Sequence, residues 1–391
     1  MPAPKFKKHV IGYFENSTPP GDINTLSVIG DINNDGRPDF VVSGRHGRMA
    51  WFENTGSPER WILHLVDQVR SQECGGSLID LTGNGLLDII NGSDGSFDEI
   101  AWWENPGAGD ERWIRRMIAK TGHKQFHDTI IGDVTGDGRL SLIFDNQQHG
   151  TTIYCVPLPE DPTVSPWPEI QVVADGMFEE NPDSNWNPAR LQPEEGLAIG
   201  DIDGDGQNEL ICGTHWYKCV AGQWSSHKFA TGYITTKVAV ADVDGDGCNE
   251  ILLSEGDPVI YGKRRGGKLA WFKPGADKTA LWQEHVIDDG LLDAHSLQPA
   301  DLCGNGRCDL FVAEIGAANR ETGQFEIHQP RLFIYENLGG GHFTRHIIDE
   351  GTGTHEAVLV DACGNGRRDI VGKPLHGPEK WNLHLWENLG F

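Results

Sequence analysis

A chain of 391 residues with 58 Asp and Glu against 32 Lys and Arg carries a formal net charge of -26, so it offers no basic face to a nucleic-acid backbone. Its 50 glycines and 13 tryptophans point to many tight turns and heavy aromatic packing, and no run of ~18 apolar residues is present to span a membrane as a helix. The expectation is a soluble globular monomer with neither nucleic acid nor membrane as partner.

The N-terminus, Met1-Pro-Ala-Pro-Lys-Phe6, has no apolar signal core, so a secretory signal is either not made or has been trimmed. Phe6-Lys-Lys-His9-Val-Ile11 is an outer-strand pattern with no sheet of its own. Residues 24 to 68 then read as four short β-rich runs, with turn residues between Leu26 to Gly30, Phe40 to Val42, Met49 to Phe52 and Trp61 to Val66. The first two runs flank an acidic, glycine-punctuated loop that begins at Asp31 and returns at Asp80, Asp133, Asp201, Asp242, Asp301 and Asp361. Spacings run from 41 residues (Asp201 to Asp242) to 68 (Asp133 to Asp201), which suits a four-stranded blade with insertions. The third run recurs as Ala101-Trp-Trp-Glu-Asn105, Ala270-Trp-Phe-Lys-Pro274, Phe333-Ile-Tyr-Glu-Asn337 and Leu385-Trp-Glu-Asn388. The fourth recurs at Trp113, Trp224, Trp282 and Phe343.

Seven such units predict an all-β, seven-bladed β-propeller of four-stranded antiparallel blades, forming one domain over 1–391. The blades fall near 15–68, 69–121, 122–176, 177–232, 233–290, 291–351 and 352–391 with 1–14. The last blade runs out after three strands, so the N-terminal strand is expected to complete it and close the ring without an open edge. Eight cysteines form no CxxC pair, which removes zinc-ribbon and thioredoxin-type sites; Cys212 and Cys219 could face each other across a hairpin, bonded or not.

The acidic loops resemble the Asp-x-Asp-x-Asp-Gly turns of FG-GAP or VCBS-type repeats, the units of integrin-like β-propellers, over essentially the whole chain. The resemblance implies that the first strand of each blade lines a central channel and that the acidic loops lie on the lower face. The long insertions, Phe178 to Glu194, Asp257 to Gly267 and Gly316 to Pro330, then fall on the upper face, where a repeat protein commonly binds.

Alternating carboxylates around a glycine can wrap a hard cation in oxygen ligands. Full sets occur in blade one (Asp31, Asn33, Asp35, Asp39), blade four (Asp201, Asp203, Asp205, Glu209) and blade five (Asp242, Asp244, Asp246, Glu250). There Ca2+ stands against a turn closed by side-chain hydrogen bonds. The other four loops break the pattern at Thr82, Ser141, Cys303 and Cys363, and a turn is expected. Ca2+ is the expected cofactor, in these loops and in the central funnel, with no organic cofactor.

Six residues before each marker stand Thr25, Cys74, His127, Glu195, Thr236, His295 and His355, at the upper mouth of the innermost strand. Each alone reads as an ordinary surface residue. Together, three histidines and a carboxylate at one register converge on one funnel, and His46, His149, His215 and His376 follow second strands on the same face. Arg45, Lys237, Arg264, Arg265 and Arg320 are cations there, and Tyr233 and Tyr261 are phenols. By contrast His9, His64, His227, His285 and His346 share one register of the outer strand and read as structural.

Imidazoles accept protons near neutral pH and bind metals, and with arginine they hold carboxylates, so the funnel suits an acidic ligand. No Gly-x-Ser-x-Gly elbow or phosphate loop is present, which argues against serine-hydrolase and nucleotide chemistry. A single-domain propeller with such a funnel resembles polysaccharide lyases, notably fungal L-rhamnose-α-1,4-D-glucuronate lyase, and the propeller domain of aldos-2-ulose dehydratase; the absence of cupin domains after the ring favours the lyase. The resemblance implies a carbon-oxygen lyase cutting a rhamnose–glucuronate linkage in plant gum or arabinogalactan side chains by β-elimination, with an acidic oligo- or polysaccharide as partner and extracellular action. His127, His295 and His355 are the expected catalytic residues with His149 and His215 behind them, and Glu195, His46, Lys237, Arg320, His376 and Tyr233 are expected to bind substrate. The alternatives are a non-catalytic carbohydrate-binding or scaffold propeller and a sugar dehydratase. A lectin would repeat its ligand residues in every blade, whereas here the upper-face residues differ from blade to blade.

Overall fold

The computed structural model describes residues 3–16, 23–68, 71–107, 112–148, 150–180, 191–259, 266–316, 325 and 329–390. Among them there is no α-helix, and the strands form seven antiparallel sheets that are the blades of a β-propeller. Blade one comprises Asn24–Gly30, Asp39–Gly44, Met49–Glu53 and Ile62–Asp67; blade two comprises Gln72–Ile79, Asp88–Ser93, Glu99–Glu104 and Ile114–Lys120. Blade three, from Phe126–Gly132 to Gln171–Glu180, gains a fifth short strand, Leu191–Pro193, with Phe178 opposite Pro193. Blades four, five and six each run from a short inner strand (Leu197–Gly200, Thr236–Ala241, Ala294–Ala300) to an outer one (Gln223–Lys228, Gln283–Leu291, His342–Glu350).

Blade seven has Val358–Val360, Asp369–Gly372 and Asn382–Asn388, and its outer strand is the N-terminal Phe6–Tyr13. Phe6 pairs with Asn388, Lys8 with Trp386 and Val10 with His384, as the missing fourth run predicts.

The burial follows from the sequence patterns. Second strands such as Asp39–Gly44 and Glu250–Glu255 are buried along their whole length, because a middle strand covered on both faces must be apolar on both sides. Outer strands such as Ile62–Asp67 are mostly exposed, as an edge that meets solvent allows.

The chain forms two compact units, Met1–Thr129, Pro159–Glu169, Thr354–Phe391 and Ile130–Leu158, Ile170–Gly353. In the first, Phe40, Val42 and Phe52 pack on Val371 and Leu385, and Val41 and Trp51 pack on Ile89 and Trp103. In the second, Ile211, Trp216 and Phe229 pack on Ile251, Phe272 and Trp282. Each large side chain so buried contributes ~1.5–3 kcal/mol.

Polar latches explain two recurring motifs. The carboxylate that opens the second strand accepts backbone amides: Asp39 takes Ile32 N (2.9 Å) and Asn54 N (2.8 Å), and Asp309 takes Leu302 N (3.0 Å) and Asn337 N (2.8 Å). The Asn closing the Glu-Asn pair donates into a neighbouring loop in blades one and two, Asn54 to Ala362 O and Asn105 to Ile32 O (both 2.9 Å). Blades four and five, which have Cys219 and Pro274 at that place, use Asn208 and Asn249 instead, donating to Asp133 O (3.4 Å) and Asp201 O (3.0 Å). The outer-strand histidines are structural. His64 and His285 stack on Trp51 and Trp271 at 4.2 and 3.9 Å, while His9 and His346 pair with Glu387 and Glu336 at 2.9 Å.

All eight cysteines are free, and Cys212 does not face Cys219: the tight hairpin sets Cys212 opposite His215 and Cys219 opposite Trp224.

Candidate functional site

In the first unit, the opening residues of two inner strands and the segment before a third bring Cys74, His127 and His355 together. One ligand atom from each lies within 4.8 Å of the others, and all three residues are buried. Cys74 Sγ is 3.7 Å from His355 Nε2 and donates to Glu73 Oε1 at 3.0 Å. Glu73 is held by the Arg45 guanidinium at 2.8 Å, and its charge raises the Arg45 pKa above the ordinary value. His127 Nδ1 is 2.9 Å from Asp128 Oδ2, and Asp128, His127 and Glu356 form a second group within 4.8 Å.

Backbone geometry sets these positions. His355 N donates to Lys373 O at 2.9 Å, and Ser27 Oγ donates to His355 O at 3.3 Å. Gly75 must be glycine: a Cβ there would lie 2.5 Å from the Asp128 backbone and 2.7 Å from His127 O. Gln125 and Glu356, flanking the two histidines, have left-handed φ of 63° and 56°, conformations that non-glycine residues adopt at a cost. Lys373 is fully buried, its Nζ donating to Asn24 O (3.0 Å) and Thr25 O (3.1 Å), and burial lowers its pKa to about 8. Burial drives the Cys74 thiol pKa well above its usual value.

The donor set is one sulfur and two imidazoles. A tetrahedral ion with ~2.3 Å to sulfur and ~2.0–2.1 Å to nitrogen gives an S···N edge of about 3.6 Å, close to the 3.7 Å between Cys74 and His355. These donors fit a borderline-soft ion such as Zn2+ better than Ca2+, which takes oxygens. His127, with Nδ1 held by Asp128, has only Nε2 to offer, either as a third ligand or as a base; with Cys74 and His355 alone as ligands two positions would stay open for substrate.

In the second unit, His295 Nε2 lies 4.0 Å from Glu195 Oε2 and 3.8 Å from Asp257 Oδ2, and all three residues have little exposure. Gln147 Nε2 donates to Glu195 Oε1, and Thr236 Oγ1 donates to Glu195 O at 2.6 Å. His215 Nδ1 pairs with buried Glu194 at 3.0 Å, and the Thr214 hydroxyl donates to the same carboxylate at 2.8 Å.

The remaining expected residues are placed differently. His46, with a φ of 53°, sits 3.3 Å from Ser71 Oγ, and half-buried His376 follows the second strand of blade seven; both belong to the first unit. Tyr233 is not an available phenol, since its ring is buried under Lys268 and its hydroxyl donates to Glu284 at 2.5 Å. Lys237 lies in a strand and not in a loop, and only 6% of it is exposed. His149, Tyr261, Arg264, Arg265 and Arg320 lie outside the described residues. Glu73, Asp128, Glu356 and Lys373 were not singled out from sequence. Their signal was adjacency: two flank register histidines, one precedes Cys74, and Lys373 directly follows the second strand of blade seven.

The acidic loops close as turns. Asp31 accepts from Asp35 N (2.9 Å) and Gly36 N (2.7 Å), and Asp201 and Asp242 do the same work in their loops. In blade one, Asp35 pairs with Arg37, and both oxygens of Asp39 are taken by backbone amides. In blade four the Lys218 ammonium sits on Asp203, on Asp205 at 2.6 Å and on Glu209 at 3.2 Å. In blade five Lys273 sits on Asp244, on Asp246 at 2.6 Å and near Glu250 at 3.7 Å. In blades four and five a lysine thus reaches the carboxylates for which Ca2+ stood against a hydrogen-bonded turn, and Asp201, Asp203 and Glu209 still lie close enough together to hold an ion. Blades one, two, six and seven carry Glu53, Glu104, Glu336 and Glu387 at this third-strand position, so the charge reverses only where the second strand opens with Glu.

No family model matches the chain, and no curated protein matches it. Among solved structures it is similar to the biofilm matrix protein Bap1 of V. cholerae, with 11% identity and a TM-score of 0.51 over 99% of this chain and 91% of that one. It is also similar to BBS1N, solved in complex with ARL6DN after soaking with lead, with 10% identity and a TM-score of 0.52 over 97% and 94%. The same complex soaked with mercury gives 10% and 0.52 over 96% of each chain. At such identities the likeness is one of fold alone.

Proposed function

We propose that the chain is a carbon-oxygen lyase that cleaves a rhamnose–glucuronate linkage by β-elimination, leaving an unsaturated uronate. The observation that carries this reading is the buried convergence of Cys74, His127 and His355, with His127 held by Asp128. A cluster buried at such cost in polar groups, beside left-handed non-glycine residues, marks a working site more readily than a scaffold.

In this reading His127 Nε2 takes the proton from C5 of glucuronate. Asp128 on Nδ1 fixes the tautomer and stabilises the imidazolium that forms. The C5–H electrons become the C4=C5 double bond, the C4–O bond breaks, and the departing oxygen takes a proton from water, which the proton released by His127 restores. Cys74 and His355 would hold a divalent ion, which supplies charge stabilisation for the carboxylate-derived enediolate. Arg45, through Glu73, fixes the Cys74 thiol. His295 stands at the same register of its own inner strand, in the second unit.

The test is ultraviolet absorbance of the new unsaturated uronate on a rhamnose-capped glucuronate glycan. Alanine at His127, His295 or His355 is expected to lower turnover by two to three orders of magnitude, a loss of ~2.7–4 kcal/mol in transition-state stabilisation, with the melting temperature little changed. Absence of absorbance from any uronate glycan, or full activity of the variants, would discard the lyase and leave the carbohydrate-binding or scaffold propeller. Loss of water from a free sugar would move the assignment to the dehydratase.

A further inference from the structure

The outer strand of blade seven is held in two different ways along its length. At its far end Ile11 and Phe14 are buried and pack with Phe40, Phe52 and Trp61, and Trp61 N donates to Ile11 O at 3.0 Å. The pairing register shifts between Val10 and Gly12, so a bulge separates that anchored end from Phe6 to Val10. The nearer half rests on polar ties and not on core contacts. Lys8 Nζ donates to Glu379 Oε2 at 3.0 Å, His9 pairs with Glu387 at 2.9 Å, backbone bonds join Lys5 to Leu389 and Gly390, and the Val10 side chain is about half exposed.

Directly opposite Val10 stands His384, which is fully buried. Neither of its ring nitrogens makes a well-aligned hydrogen bond among the described residues. Nε2 lies 3.4 Å from Glu379 Oε2, an oxygen that already accepts from Lys8. On the other side its strand neighbour is Gly372, which has no side chain to offer, and the nearest ring is that of Trp386 at 5.4 Å. Two charged groups face the imidazole, Lys8 from the outer strand and Glu379 from the preceding turn. Burial, reinforced by the Lys8 ammonium, lowers the His384 pKa to about 4 from an ordinary 6.5, and Glu379 and the His9 backbone pull the other way.

We propose that this half-strand is an acid-released latch: on acidification Phe6 to Val10 detaches from Asn382–Asn388, hinged at the bulge, while Ile11 and Phe14 stay packed. The closed latch shuts His384 away from water and holds it beside an ammonium, so it binds a proton poorly; the open latch removes Lys8 and admits water, so it binds one well. Closure is therefore fully favoured above about pH 6.5 and weakens as pH falls towards 4. Between pH 7 and pH 5 the ratio of open to closed rises roughly twentyfold. His9 does not share this role, because a proton there tightens its pair with Glu387. The inference is independent of the lyase reading, since it concerns only the closure of blade seven.

The experiment is hydrogen exchange of the full chain, read by mass spectrometry at pH 7, 6 and 5 with intrinsic exchange rates divided out. Protection of residues 6–10 is expected to fall roughly twentyfold from pH 7 to pH 5, while the outer strand of blade two, Ile114–Lys120, which has no histidine, keeps its own. His384→Leu is expected to abolish the fall. Lys8→Met is expected to shrink it even though basal opening rises, because Glu379 then faces the imidazole without a competing ammonium. The inference is overturned if residues 6–10 stay protected at pH 5, if Ile114–Lys120 loses as much, or if His384→Leu keeps the fall. Should His384→Leu not fold, an undiminished fall in Lys8→Met overturns it.

Discussion

Replacing Lys218 by methionine asks whether an ammonium is the resident cation of the blade-four loop. The lysine contacts Asp203, Asp205 and Glu209; its side chain is 20% exposed and that of Glu209 1%. Exposed ion pairs contribute ~0.2–1 kcal/mol, and breaking fully buried ones costs ~3–5 kcal/mol. A lysine between these limits should cost about 1–3 kcal/mol on removal. Methionine keeps the aliphatic stem and deletes the charge, so Glu209 is left buried among carboxylates without its partner. The emptied loop then has the oxygens for a divalent ion, and calcium at a hundredfold its dissociation constant would restore about 2.7 kcal/mol. Thermal unfolding of wild type and Lys218→Met, each in calcium and in chelator, reads both effects. The expected result is a calcium response larger in the variant than in wild type. A wild type stabilised by calcium, with a variant that neither loses stability nor gains response, would show that an ion and not the lysine closes the loop.

Deleting residues 1–12 removes the strand that covers Asn382–Asn388 and buries Ile11, and is expected to cost at least about 3 kcal/mol in urea unfolding; an unchanged midpoint would mean the strand is dispensable. Burial pushes the Asp88 pKa up to about 6 from an ordinary 3.8, against the pull of the Asn105 and Leu81 amides. The folded chain therefore binds that proton more tightly than the unfolded chain. Its contribution is fully present below about pH 4 and is lost as pH rises to about 6, and Asp88→Asn should flatten that part of a stability-against-pH curve. A slope that remains after the substitution would assign it to other carboxylates.

The blades were legible because each must solve the same problem: two middle strands covered on both faces, an outer strand meeting solvent, and a turn that forces glycine. That repetition writes itself into spacing, as the Glu-Asn pairs and the loops at Asp31 and Asp361 show. The register count likewise pointed to His127 and His355, because position along an inner strand fixes height, but it passed over Cys74, which stands in the same register and was not chosen as a site residue. It could not say which donors meet. Glu73 and Asp128 owe their roles to hydrogen bonds across strands, and Lys373 to burial, none of which follows a period. The acidic loops are ambiguous for a related reason. Their carboxylates match a calcium pattern, and Lys218 and Lys273, outside that pattern, reach the same oxygens.

The pairing of Phe6–Tyr13 with Asn382–Asn388 also sets a schedule for biosynthesis. His9 and Glu387, which form one of its ion pairs, are 378 positions apart. At ~5–20 residues per second a ribosome needs roughly 20–80 s to travel that far. Throughout that interval the opening strand, with apolar Val10 and Ile11, has emerged while its partner is still unmade. Lys7 and Lys8, just before them, keep charge on that waiting edge, a placement that discourages pairing with other nascent chains.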